Sequence, residues 1–170
     1  MRNNESSFPN DLSFDMRKVR DIDYGSNPGQ KAAFYRLPAN SSGLPECEQL
    51  YGQPASFNNL RELGLTRRFL DGYEDRAAMV VAKHGIPAGF AFAPTIEEAR
   101  EKATQCDLEA NLGGVEVYTQ RLTAKVAAAI KTNADAGDIR DVIAAPSYEA
   151  GALDILKTCR KGKGVGRMRV

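Results

Sequence analysis

The unbroken apolar run Ala77-Ala78-Met79-Val80-Val81-Ala82 limits the fold more than any other segment. Successive side chains of a strand point to opposite faces, so six apolar residues in a row make both faces apolar. Such a strand has to be covered on both sides, as in the interior of an α/β sheet. The run is far too short to cross a bilayer, which takes about 20 residues in a helix, and no other apolar run comes near that length.

The elements around it alternate. Ser56 is placed as a cap before Phe57, Leu60, Leu63, Phe69 and Leu70, a helical stripe. Thr95-Ile96-Glu97-Glu98 has capping-box spacing, and Ala99, Ala103 and Cys106 continue one helical face. Val115 to Tyr118 and Val142 to Ala145 read as strands. Thr123 to Thr132 and Tyr148 to Cys159 read as helices, Lys31 to Leu37 as a short strand, and Val165 to Val170 as a last strand. This rhythm predicts an α/β layered domain with a largely parallel sheet. Residues 1–20 are read as an extended or flexible lead-in and 21–170 as one domain.

Composition narrows the class of partner. Lys and Arg number 23 against 22 Asp and Glu, so no single-sign field favours nucleic acid or an anionic membrane. The basic residues from Lys157 to Arg169 read as a solvated surface. Met1 to Pro9 is polar and lacks the apolar stretch of a signal peptide, and Cys47, Cys106 and Cys159 form no CxxC pair. A cytoplasmic chain is expected.

Chemistry concentrates where the apolar run ends, at Lys83-His84-Gly85-Ile86-Pro87. In open α/β sheets ligands bind beyond the carboxyl ends of strands. His84 is the only histidine, so any imidazole chemistry has to use it. An imidazole can take a proton from an attacking amine, and an ammonium beside it can stabilise charge growing on a carbonyl oxygen. The residues alone leave a second reading open, with Lys83 a solvated strand end and His84 a hydrogen-bonded structural residue. With one His, no HxE and no PCxxC, metal chemistry is not expected. Gly113-Gly114 and Gly162-Lys163-Gly164-Val165-Gly166 match neither a Walker loop nor a dinucleotide fingerprint.

Five segments in order resemble the aminoimidazole-carboxamide ribonucleotide (AICAR) transformylase family. Tyr24-Gly25-Ser26-Asn27-Pro28-Gly29-Gln30 with Ala32-Ala33-Phe34-Tyr35 is similar to RYGxNPHQ…AAFY. Gln49-Leu50-Tyr51-Gly52 through Ser56-Phe57-Asn58-Asn59 resembles QLxGKxLSYNN, and Lys83 to Gly89 resembles KHxNPCG. Cys106-Asp107 with Gly113-Gly114 resembles CDPxSAFGG, and Val142 to Leu156 resembles VIAPxYxxEALxIL.

The resemblance implies a cytidine-deaminase-like fold of three layers, α-β-α, with a mixed, mostly parallel sheet and no metal. It implies formyl transfer from the co-substrate 10-formyltetrahydrofolate to the amino group of AICAR in purine (inosine monophosphate) biosynthesis. His84 would assist removal of the amine proton and Lys83 would stabilise the oxyanion, with Tyr24, Gly25, Asn27, Asn58 and Gly114 against the nucleotide. Only the first cytidine-deaminase-like half is represented, so a homodimer or a complementing second half is expected, with an exposed apolar edge where that half would pack. Asp23 stands where the family has Arg, Gly29 where it has His, and Ile86 where it has Asn. These departures motivate the alternative, a non-catalytic member that binds a nucleotide-like ligand or a partner subunit.

Overall fold

The structure, a computed structural model, describes residues 8–37, 47–109 and 113–159. Its element order is β1 (Arg17–Ile22), β2 (Ala32–Arg36), α1 (Phe57–Arg67), β3 (Ala77–Lys83) and β4 (Ile86–Ala93). Then follow α2 (Ile96–Gln105), β5 (Val115–Tyr118), α3 (Ala124–Asp135), β6 (Val142–Ala144) and α4 (Ala152–Lys157). β1 and β2 form an antiparallel hairpin of their own, and the other four strands make one sheet in the order β4-β3-β5-β6.

The apolar run is β3, in the interior of that sheet, and its side chains divide between two cores as expected. Met79 and Val81 pack on one face with Ala99 and Ala103 of α2, Ile130 of α3 and Leu156 of α4. Ala78 and Val80 pack on the other face with Leu63 of α1 and with Val115 and Val117. The result is three layers, α1, the sheet, and the α2–α3–α4 layer. The starts of α1, α2 and α3 fall where the sequence places them. Ser56 and Asn59 form a reciprocal capping box on α1, and the Thr95 hydroxyl accepts from the Glu98 N–H at 3.3 Å.

The sheet is mixed, but less of it is parallel than expected. β3 runs antiparallel to both β4 and β5, and among the described strands only β5 and β6 pair in parallel, around α3. The difference is β4. No strand is expected between the apolar run and Thr95, yet the chain reverses within two residues and pairs again from Lys83↔Ile86 onward. Pro87 fits because β4 is an edge strand, and a register irregularity at Val81/Ala82 takes up the break beside it.

Other boundaries shift in smaller ways. Residues 17–22, within or just after the expected lead-in, pair as β1 through backbone bonds to β2, although their side chains are mostly exposed. The last helix begins at Ala152 rather than Tyr148, because Tyr148 bridges to Leu122 and Gly151 has a left-handed φ of 80°. The strand expected at Val165–Val170 lies outside the described residues, as does most of the basic tail.

Candidate functional site

The site is built on the β3–β4 reversal. Lys83-His84-Gly85-Ile86 is a two-residue hairpin turn whose central residues both have positive φ, 54° at His84 and 78° at Gly85. That is the signature of a type I′ turn, which suits the twist of paired strands and ordinarily takes Asn-Gly or Asp-Gly. Among the described residues His84 is the only non-glycine with positive φ. A side chain in that region costs about 1–2 kcal/mol, so something has to hold it there.

Helix α1 supplies the hold. The Glu62 carboxylate lies 3.2 Å from Nδ1 of His84, and Leu65 packs so closely on Gly85 that a Cβ there would sit 2.7 Å from its Cδ1. Glu62 and Leu65 are three residues apart on one helical face. The Glu62 side chain is 15% exposed and that of His84 is 78% exposed, so the imidazole projects outward from a fixed support. Lys83, immediately before the turn, is exposed as well.

One helical turn earlier on the same face is Asn58, whose Nδ2 donates to the Ser26 carbonyl at 3.1 Å. The Phe57 N–H donates to the Tyr24 carbonyl at 3.0 Å, so the first turn of α1 seats the loop from Tyr24 to Gln30. The loop is closed on itself. The Gly25 N–H donates to the Gln30 carbonyl at 2.9 Å, and the Asn27 N–H donates to Gln30 Oε1 at 2.9 Å.

Gly114 enters from the other side. It has a φ of +81°, and a Cβ there would meet the Ala82 carbonyl oxygen at 2.4 Å and the Lys83 Cα at 3.5 Å. Its N–H donates to Oδ2 of Asp141 at 3.4 Å, while its carbonyl accepts from the Asp141 N–H at 2.8 Å. Tyr24, Gly25, Asn27, Asn58, Lys83, His84 and Gly114 are thus joined by a continuous chain of contacts through α1 and the hairpin turn.

The sequence profile of the AICARFT/IMPCHase bienzyme family matches residues 1–165. The chain belongs to this family. It is 34% identical over 157 residues to the bifunctional purine biosynthesis protein PurH of Thermoanaerobacter sp. (strain X514), covering 92% of this chain and 30% of that protein. The PurH of Petrotoga mobilis is 33% identical over 154 residues, with 91% and 29% covered. The PurH of Synechocystis sp. is 37% identical over 135 residues, with 78% and 25% covered. The chain therefore spans about 30% of the length of the first two of these relatives.

Three functional candidates escaped the sequence reading. Glu62 carried no signal except its place four residues after Asn58, the helical spacing that puts both on one face. Asp141 looked like an ordinary polar residue before a strand. Glu116 was hidden inside the β5 sequence VEVY. It is 0% exposed and bridges two arginines, with Arg140 Nε at 2.8 Å from Oε1 and Arg100 Nε at 3.3 Å from Oε2. The Tyr118 hydroxyl donates to the same carboxylate, and Asp138 pairs with Arg140. Burial pushes the Glu116 carboxyl up, but the two guanidiniums outweigh it and hold it below the usual carboxylate range. The cluster fixes residues 138–140 against β5 and so positions Asp141, the next residue, opposite Gly114.

Among the described residues no group of three or more His, Cys, Asp or Glu comes together that could hold a metal ion. Among the same residues no helix is long and apolar enough to cross a membrane. Asp23, where the family pattern has Arg, is exposed directly before the Tyr24 loop.

Proposed function

We propose that the chain supplies part of an AICAR transformylase site and takes part in formyl transfer from 10-formyltetrahydrofolate to the 5-amino group of AICAR, in the cytoplasm. The observation that carries this reading is the family's Lys-His pair on a hairpin turn, its histidine kept in a left-handed conformation that Gly would adopt at lower cost. In this reading the amine of AICAR attacks the formyl carbonyl carbon while His84 accepts the amine proton. Lys83 stabilises the negative charge on the carbonyl oxygen. The new C–N bond is complete when the bond to N10 of the folate breaks and that nitrogen takes up a proton. Tyr24, Gly25, Asn27, Asn58 and Gly114 hold the nucleotide.

A second copy or a complementary chain completes the site. Ile86, 70% exposed, and Phe92, 48% exposed, on the open edge strand β4 support an association there. Light scattering across a concentration series reads the oligomeric state, and a monomer at high concentration counts against a self-completed site.

The test of the chemistry is transfer activity with AICAR and 10-formyltetrahydrofolate. Lys83→Ala and His84→Ala are each expected to lower kcat by about 10²-fold or more while the fold is kept. Unchanged turnover in both variants rejects the assignment. A second reading, ligand binding without turnover, is favoured by Asp23, whose carboxylate repels an anionic phosphate where a guanidinium would bind it. Calorimetric binding of AICAR with no detectable transfer decides for that reading.

A further inference from the structure

We propose that Glu62 is a positioning residue for His84, setting which imidazole nitrogen carries the proton and therefore which one serves as the base. The inference deepens the formyl-transfer reading and rests on it for the role of His84. A carboxylate has no proton to give, so across the 3.2 Å contact Nδ1 has to be the donor. The neutral ring then holds its lone pair on Nε2, on the side away from α1, and the exposed ring presents it outward. An unpartnered imidazole favours the opposite arrangement, with the proton on Nε2.

Both partners are held by backbone as well as by the contact itself. Glu62 is in the middle of α1, largely covered, on the face whose first turn is fixed by Asn58 to Ser26. His84 is confined by a two-residue turn that packs on Leu65 of the same helix. The same helical face therefore seats the Tyr24–Gln30 loop, supports the turn and orients the imidazole. A His in a left-handed turn position is explained if its ring is needed in that direction.

Because His84 is the sole histidine, long-range ¹H–¹⁵N correlation spectra of the labelled full chain report one imidazole without overlap. Spectra are taken at a pH above the ordinary histidine range, without ligand, on the native chain and on Glu62→Ala. The Nδ1–H form is expected to be enriched about two- to fivefold in the native chain relative to the variant, the range suited to a contact with one exposed partner. An equal ratio in the two proteins, or enrichment in the variant, overturns the proposal. If Glu62→Ala does not fold, Glu62→Gln keeps the helix packing. Its amide can donate or accept, so it is expected to lose most of the enrichment. Formyl transfer is scored separately on the same proteins. Enrichment in the native chain with transfer that His84→Ala leaves unchanged upholds the tautomer assignment and overturns the formyl-transfer reading, and an unchanged ratio with transfer that His84→Ala abolishes does the reverse.

Discussion

Replacing Glu116 by Gln removes one charge and almost no volume from the interior, so its effect isolates the buried ion cluster. Glu116 is fully covered, and its two cationic partners are 6% (Arg100) and 2% (Arg140) exposed at the side chain. Arg140 keeps Asp138 as a second carboxylate, whereas the described ion pair of Arg100 is with Glu116. The variant therefore leaves chiefly one buried guanidinium without its counter-charge. Removing one partner of a buried pair costs about 3–5 kcal/mol. For a domain of this size 1 kcal/mol moves Tm by about 2–4 °C, so the expected fall is about 6–20 °C. Urea unfolding at neutral pH, with a thermal scan beside it, measures both quantities. The pH dependence adds an internal control. Glu116 is held below the usual range in the fold, so its contribution is complete above the unfolded value of about 4.3 and is lost as pH falls through the depressed one. The gap between native and Glu116→Gln should then narrow in acid. A loss under about 1 kcal/mol at neutral pH would refute the claim that the cluster holds β5, α2 and the approach to β6 together.

Three further outcomes follow from particular contacts. His84→Asn puts the residue preferred in a type I′ turn into that turn and gives up one exposed contact, so the chain is expected to gain about 0.5–1 kcal/mol while losing formyl transfer. A lower urea midpoint would show that the turn favours His for stability. Gly114→Ala forces a Cβ to within 2.4 Å of the Ala82 carbonyl oxygen at a φ of +81°, and is expected to cost about 2 kcal/mol or more. Native-like unfolding of that variant would mean that the β3–β5 approach is looser than described. Burial pushes the Tyr148 phenol up to about 12, and burial followed by the Glu116 charge raises that of Tyr118. Unfolded phenols ionise near 10, so the unfolded chain releases these protons first and stability should fall between about pH 10 and 12. Tyr148→Phe should flatten part of that slope, and an unchanged profile would count against its burial.

Much was determined by sequence alone. The uninterrupted apolar run, short and flanked by turn-forming residues, pointed to an interior strand covered on both faces. Ser56, Thr95 and Thr123 marked helix starts because a cap needs only a hydroxyl at the right offset, which is local information. The five ordered motifs gave the family, and the profile match over residues 1–165 agrees with them.

Tertiary structure decided what depends on non-local partners. Gly85 and Pro87 carry the same turn signal whether the chain goes on to a helix or doubles back, and only the hydrogen-bonding edge of β3 selects the hairpin that makes the sheet more antiparallel than expected. Glu116 in VEVY looks like an exposed strand position until Arg100 and Arg140 arrive from α2 and the loop before β6. Glu62 precedes His84 by 22 residues, and no sequence spacing relates a helix to a turn that packs across it. Sequence thus supplied the candidate Lys83-His84 pair, and packing set the direction of its histidine. Residue identity is written locally, whereas direction is set by whichever distant side chain the fold brings alongside.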